Sequence, residues 1–376
     1  MTDIFNDIIG QDRAKTILSD FSSASKIPHA LLFTGNEGVG KEFTAIRFAQ
    51  LINSGFLSAE KSKKVNNLIS QFSEPYIKYI IPLPRGKNET DSDSPIDKLS
   101  KDDIELLRKG FQKKRENPYY NITLPRANAI KINSIRDIKK FIALDYSDLT
   151  FRCIIISDAH LMNEPAQNAL LKNLEEPPEG VIFILITPFP ERLRETIRSR
   201  CWNINFDPLT GRQIVEVLTK YFNISIKEAE AVAPFAGGSV TTSLKLIDMN
   251  IKNLTEQTIS ILRYSFGKKF HSAFQEFSSL LAEQSNENIK LIVKMIITWL
   301  NDLQKYRFDL NQLFFRKHKE TLEKFNSKFP DVELKDLVYK LDRLSSYVKN
   351  NVNPNLLAAN IIFELSALPA KPAVKA

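Results

Sequence analysis

The sequence predicts an α/β domain with a parallel sheet, followed by helical regions. Short, mostly apolar runs at 30–33, 151–156 and 181–186 are typical of strands that are covered on both faces. Helical patterns separate these runs, which favours parallel strands joined by helices. One predicted helix spans 163–175 with Asn163 as its cap, and another opens at 208–210. Strand patterns fade after about residue 206, and apolar residues then recur at helical spacing.

We predict four segments: an α/β domain over residues 1–205, a small helical domain over 206–248, a helical bundle over 249–368 and a disordered tail over 369–376. The bundle rests on a set of apolar residues that share one helical face: Ile289, Ile292, Ile296, Trp299, Leu300 and Leu303.

Residues 55–128 interrupt the strand–helix pattern as an insertion. The stretch 85–103 is polar and charged, which predicts a mobile surface excursion. The following stretch, KKRENPYY at 113–120, is basic and carries two tyrosines. It favours a solvated loop, and a contact with nucleic acid stays open as an alternative. The pattern does not determine what residues 85–120 do.

Composition excludes several classes of protein. The 376 residues carry 52 Lys and Arg against 44 Asp and Glu, and this mild excess of +8 allows a nucleic-acid or acidic protein partner without requiring one. Two cysteines and four scattered histidines argue against a disulfide framework and against a zinc site. The acidic N-terminus does not suit a signal peptide, and no apolar stretch reaches the roughly 20 residues of a membrane helix. We therefore expect a cytoplasmic protein.

The segment from Gly35 to Lys41 matches the phosphate-binding pattern G-x-x-x-x-G-K and lies between a predicted strand and a predicted helix. Glycines let backbone N–H groups approach phosphates, the helix N-terminus adds partial positive charge, and the lysine reaches the terminal phosphates. We predict that Gly35, Gly38, Gly40 and Lys41 contact a nucleotide.

The groups that should handle Mg²⁺ depart from this pattern. Glu42 stands where Ser or Thr would hold the metal ion. The strand at 151–156 should be followed by an Asp for the metal and an acid that activates water, but the sequence has Ser157-Asp158-Ala159. Either Ser157 replaces the metal-binding Asp, or Asp158 keeps that role and Ala159 replaces the base. Both alignments lack one acid, so we predict weakened nucleotide binding and assign no metal ligand.

Two further features can contact phosphate. Thr187 follows the strand at 181–186 and is a candidate sensor of the terminal phosphate, with an ordinary loop threonine as the alternative. Arginines suited to phosphate recur between 191 and 201, and the pattern alone does not select one of them: Arg192, Arg194, Arg198 and Arg200.

The stretches IIGQDRAKTIL, PHALLFTGNEGVGKE, DAHLMNEPAQNALLKNLEEPPEG and FILITPFPERLRETIRSRC together resemble the clamp-loader branch of the AAA+ family. Their order and spacing are similar to those of its delta-prime and gamma/tau members, and the resemblance is strong over residues 1–205. It implies an AAA+ P-loop domain, a small helical lid and a C-terminal helical collar. The collar would join subunits into a ring that places a sliding clamp on primed DNA during DNA replication.

The resemblance also implies partners and roles. The partners would be gamma/tau-type and delta-type subunits, the sliding clamp, and primed DNA through the assembly, with no membrane. Arg200, beside Ser199, would complete the ATP site of a neighbouring subunit. An active motor of the family carries other residues at three places, which here are Glu42, Ser157-Asp158 and Val240-Thr241. The loss of these residues, with Arg200 kept, resembles delta-prime.

Because the chain keeps Arg200 but lacks residues of its own nucleotide site, we predict that it is not itself an enzyme. It would require no cofactor, be compatible at most with weak or vestigial ATP or ADP binding, and hold no zinc. The alternatives are an active motor in which Glu42 and Asp158 hold Mg²⁺, and a DNA-binding module that uses residues 113–120.

Overall fold

The computed structural model describes residues 4–24, 26–54, 57–144, 149–282, 287–308, 310, 313–347 and 352–368. The chain divides into two compact units, Met1–Thr242 and Ser243–Ala376. The predicted tail at 369–376 lies outside the described residues. The finer boundaries at 205 and 248 stay predictions.

A parallel sheet forms the centre of the first unit. Its strands are β1 (Ala30–Thr34), β2 (Ile77–Ile80), β3 (Arg152–Ile156), β4 (Val181–Thr187) and β5 (Trp202–Asn205). Their order in the sheet is β2-β3-β4-β1-β5, and every pairing between neighbours is parallel. Strands β1, β3 and β4 are buried along their whole length, which confirms the sheet predicted from the three apolar runs.

Helices connect the strands and continue to the end of the unit. They are α1 (Asp12–Ser23), α2 (Lys41–Ser54), α3 (Ala59–Ser70), α4 (Lys101–Glu116), α5 (Ile132–Arg136), α6 (Ile138–Ile142), α7 (Glu164–Glu175), α8 (Glu195–Arg198), α9 (Gly211–Phe222), α10 (Ile226–Val232) and α11 (Val240–Asp248), the last of which crosses the unit boundary.

Side-chain caps fix the starts of two predicted helices. The Asn163 side chain accepts a hydrogen bond from the N–H of Ala166 at 3.0 Å, at the start of α7. Thr210 and Gln213 form a capping box at the start of α9. Both helices therefore begin where the sequence pattern predicts.

The second unit is helical throughout its described residues. Its helices are α12 (Ile251–Phe266), α13 (Phe270–Ala282), α14 (Glu287–Arg307), α15 (Lys319–Lys328), α16 (Lys335–Ser346) and α17 (Pro354–Ala367). All six apolar residues of the predicted α14 face are at most 1% exposed. Trp299 packs against Phe266 and Phe325, with ring centroids 5.7 and 5.6 Å away. The predicted helical bundle is confirmed.

The insertion is folded, so the predicted mobile polar excursion is wrong. The insertion has a small core of its own, which consists of Ile81, Leu83, Leu99, Ile122 and Leu124. Glu89, in the polar stretch, is buried and pairs with Lys131 at 2.7 Å. It also accepts a hydrogen bond from Asn133 at 2.7 Å. Buried partners outside the insertion therefore hold this segment on the sheet domain.

Candidate nucleotide site

The predicted phosphate-binding loop connects β1 to α2 at the carboxyl edge of the sheet, where α/β folds bind ligands. Gly35 has a φ of +129°, and a Cβ added there would lie 2.3 Å from the carbonyl oxygen of Phe206. Gly40 has a φ of +96° and packs against the Tyr119 ring. Both positions therefore require glycine, because a side chain would be strained and would meet neighbouring atoms.

Lys41 begins α2 and is buried. Its Nζ donates hydrogen bonds to the carbonyl oxygen of Gly35 at 2.6 Å and to that of Asn36. Burial lowers the pKa of Lys41 to about 8, although nearby carboxylates oppose this shift. The side chain therefore remains mostly cationic at neutral pH, as a phosphate ligand requires.

A pocket of about 50 Å³ opens beside this loop. Of the predicted nucleotide contacts, Gly38, Gly40 and Lys41 line it, while Gly35 accepts the lysine hydrogen bond behind them. The other lining residues are Glu37, Glu42, Phe43, Lys114, Pro118, Tyr119, Asn121, Ser157, Asp158, Ile186, Pro188 and Thr241. Space of this size holds a few water molecules.

Thr187 is buried at the end of β4 and is not among the residues that line the pocket. Its hydroxyl oxygen accepts the N–H of Phe189 at 2.9 Å. Its role as a phosphate sensor stays a prediction.

The two residues after β3 have different environments. Ser157 is 2% exposed, and its hydroxyl donates a hydrogen bond to Glu42. Asp158 has a left-handed φ of +51° and lines the pocket. Burial, together with the carboxylates of Glu42 and Glu37, raises the pKa of Asp158 to about 7. This carboxyl is therefore close to half protonated at neutral pH.

Glu42 carries a buried ion pair that the sequence did not predict. Its carboxylate accepts hydrogen bonds from the Lys114 ammonium on one oxygen and from Ser157 on the other. Burial alone would raise the pKa of Glu42, but the charge and hydrogen bonds of Lys114, with that of Ser157, hold the pKa below its usual value. Lys114 is 72 residues away in sequence, and no local pattern marks it as the partner.

Residues 113–120 are not the solvated loop that their composition favoured. Lys114 belongs to α4, and its side chain is 1% exposed. Tyr119 is 7% exposed, and its ring packs against Phe43 and Tyr221 with centroids 5.6 and 4.9 Å away. Lys114 and Tyr119 therefore face the interior, whereas Lys113 and Arg115 of the same stretch are exposed.

Glu42 does not fit the Mg²⁺ ion that a phosphate-binding loop implies at this position. Lys114 and Ser157 occupy the two carboxylate oxygens of Glu42. Over the described parts of the chain, no group of three or more His, Cys, Asp and Glu side chains could hold a metal ion.

Arg200 lies away from this pocket, in the turn between α8 and β5. Its side chain is 36% exposed, and its guanidinium pairs with Glu175 at 2.9 Å and donates to the carbonyl oxygen of Thr196 at 2.8 Å. Ser199 is exposed and donates to the same carbonyl at 3.3 Å. The structure therefore separates the two residues predicted to act on a neighbour's ATP from those predicted to bind this chain's own nucleotide.

Comparison with known proteins decides the family. A family model described as "DNA polymerase III, delta subunit" matches residues 10–210. A second, described as "DNA polymerase III, delta subunit, C terminal", matches residues 261–367. This chain belongs to the DNA polymerase III clamp-loader family. The predicted family and the AAA+ fold class, a parallel sheet domain followed by helices, are confirmed.

Curated relatives of this clamp-loader chain include tau and gamma subunits. It is 26% identical to the DNA polymerase III subunit tau of Bacillus subtilis, a match that covers 94% of this chain and 59% of the relative. It is 27% identical to the subunit gamma of Buchnera aphidicola from Acyrthosiphon pisum, covering 88% and 87%. A gamma-subunit-related protein of Thermotoga maritima superposes with a TM-score of 0.40 at 16% identity, covering 94% and 99%.

These relatives correct one prediction. The prediction that the chain is not an enzyme is wrong, because the relatives are named as tau and gamma subunits of DNA polymerase III. In the described part of this clamp-loader subunit, no helix has the length and apolar character needed to cross a membrane.

Proposed function

We propose that this clamp-loader subunit acts in the manner of delta-prime. It assembles with gamma/tau-type and delta-type subunits and extends Arg200 to the ATP bound by a neighbour, so that the assembly loads the sliding clamp onto primed DNA. The observation that carries the proposal is the position of Arg200, which is partly exposed and lies outside this chain's own pocket. A cytoplasmic location belongs to the same proposal.

The ion pair between Arg200 and Glu175 is weak enough for the guanidinium to exchange Glu175 for a neighbour's phosphate. Its carboxylate partner, Glu175, is 49% exposed, and exposed ion pairs contribute at most about 1 kcal/mol. Arg200 therefore leaves Glu175 at little cost when a neighbour's phosphate is presented. A planar guanidinium then offers two parallel hydrogen bonds to the phosphoryl oxygens.

ATP turnover by the reconstituted loader tests this proposal. Arginine fingers contribute factors of about 10³ to 10⁵ to phosphoryl transfer. We expect Arg200→Ala to assemble normally and to lower the turnover that depends on this interface, and Arg200→Lys to restore little of it because lysine lacks the planar fork. Arg198→Ala, an exposed arginine two residues away, is the matched control. Equal turnover by all four proteins would refute the role of Arg200.

A second candidate is an ATPase motor, and the names of the tau and gamma relatives favour it. Lys41 and Asp158 meet in one pocket, which supplies part of the required chemistry. The purified chain, without partners, tests this candidate: nucleotide hydrolysis that is lost in Lys41→Ala supports it, and no hydrolysis above background counts against it. The role of Arg200 does not depend on this result.

A further inference from the structure

We propose that Lys114 supplies, from within the chain, the cation that a phosphate-binding loop ordinarily takes up as Mg²⁺. In this assignment Glu42 and Ser157 form a cation site, the Lys114 ammonium fills it, and the site does not respond to divalent metal ions. The inference goes beyond the proposed function, because it concerns this chain's own pocket and does not involve Arg200.

The two residues occupy the positions of metal ligands. Glu42 directly follows Lys41, where a phosphate-binding loop places the Ser or Thr hydroxyl that holds Mg²⁺. Ser157 directly follows β3, where one of the two alignments places the Asp of the metal shell, and in the other alignment the next residue, Asp158, takes that position. Here Ser157 donates to one oxygen of Glu42, so the two positions converge on a single carboxylate.

The ammonium is fully coordinated. Lysine has three N–H donors, and Lys114 has three acceptors: the second oxygen of Glu42, the carbonyl oxygen of Tyr120 at 2.7 Å and that of Pro118 at 3.2 Å. Its side chain is 1% exposed. A buried charge is tolerated when it is paired and hydrogen-bonded, and both conditions are met.

The insertion fixes the position of this ammonium. A Cβ added to Gly110 of α4 would lie 2.7 Å from Ile122 Cγ2, so the helix packs closely on the insertion's own core. Beyond the helix, Asn117 donates to the carbonyl oxygen of Tyr221 at 2.8 Å. The Tyr119 hydroxyl accepts the N–H of Ile9 at 3.2 Å. The insertion therefore has a role, which is to hold Lys114 in the pocket.

The arrangement disfavours Mg²⁺ on both charge and geometry. Mg²⁺ requires near-octahedral oxygen coordination at about 2.0–2.1 Å. Here a single carboxylate is already neutralised by one ammonium, and both of its oxygens are engaged. A divalent ion could bind Glu42 only if Lys114 left, and three hydrogen bonds together with the packed insertion oppose its leaving.

Binding of Mn²⁺, used as the probe metal and measured by the EPR signal of the free ion, tests the assignment on the full chain. We expect wild type and Glu42→Gln to bind Mn²⁺ equally, at background level. We expect Lys114→Met to gain one site at least tenfold tighter, and the double variant Glu42→Gln/Lys114→Met to lose it again. Lys109→Met, on an exposed side chain of the same helix, should behave as wild type.

Two results would overturn the assignment. One is a Mn²⁺ site in wild type that disappears in Glu42→Gln, and the other is a folded Lys114→Met protein with no gain of binding. If the variants do not fold, anomalous scattering from wild-type crystals soaked in MnCl₂ tests the same assignment. Manganese within about 2.5 Å of Glu42 refutes the assignment, and the absence of a peak there supports it.

Discussion

Replacing Lys114 by methionine isolates the charge that holds Glu42, since most of the side-chain volume is kept. The change leaves a carboxylate whose side chain is 16% exposed, with the hydroxyls of Ser157 and Tyr79 beside it. Breaking a buried ion pair by removing one partner costs about 3–5 kcal/mol. Because Glu42 retains some exposure, we expect a loss near the lower end, about 3 kcal/mol in the free energy of unfolding.

The loss in the free energy of unfolding should depend on pH, and the pKa of Glu42 determines the direction of this dependence. In wild type the folded pKa of Glu42 lies below its usual value of 4.5, so its stabilisation is present above pH 4.5 and disappears as pH falls through the folded pKa. Without Lys114, burial acts unopposed and raises the folded pKa. The variant is then most destabilised above that raised pKa and recovers as pH falls toward the ordinary Glu pKa of 4.5.

Urea unfolding followed by peptide-resolved hydrogen exchange is the appropriate assay, because it reports on β1, β3 and β4 separately from the second unit. Lys109→Met is the control, since Lys109 and its partner Glu105 are 62% and 64% exposed, so solvent screens their pair and its loss should leave stability nearly unchanged. A loss below about 1 kcal/mol for Lys114→Met, or a loss that grows as pH falls, would refute the reasoning.

Three further predictions follow from the same pocket and the Arg200 pair. Asp158→Asn should stabilise the first unit by about 1–3 kcal/mol at pH 8 and by little near pH 4, because ionising a carboxyl whose folded pKa is raised to about 7 destabilises the folded state between those pH values. A pH series of urea midpoints checks this, and a gain in stability that does not depend on pH would contradict it. Gly35→Ala should cost at least about 2 kcal/mol, since it combines a φ of +129° with a 2.3 Å approach to Phe206; thermal unfolding with less than a 2 °C shift would contradict it. Glu175→Gln should change stability by less than about 1 kcal/mol and leave loader turnover intact, and a large fall in turnover would show that this carboxylate does more than pair with Arg200 at rest.

Elements with a strong local signal could be predicted from the sequence. Strands β1, β3 and β4 are continuous apolar runs because both of their faces are buried, and α7 carries its own cap at Asn163. The loop from Gly35 to Lys41 is a contiguous motif, so its place between β1 and α2 could be predicted as well.

The elements that were missed depend on distant partners. Strand β2 is only four residues long and is fully buried only at its two ends, Ile77 and Ile80, and its Lys78 pairs with Asp137 at 2.6 Å, 59 residues away in sequence. Strand β5 lies at the sheet edge, is four residues long and is exposed at three of them. The polar stretch at 85–103 seemed mobile because its composition does not show that Glu89 is buried against Lys131. The sequence did not indicate that Lys114 pairs with Glu42 for the same reason, since 72 residues separate them.

The central claim is that Arg200 acts on a neighbour's nucleotide. A cryo-EM structure of the loader, assembled with this chain and a non-hydrolysable ATP analogue, measures this most directly. We predict that the Arg200 guanidinium has left Glu175 and lies within about 3.2 Å of a terminal phosphate oxygen on the adjacent subunit. An assembled, nucleotide-bound loader in which Arg200 still pairs with Glu175, far from any phosphate, would contradict the claim.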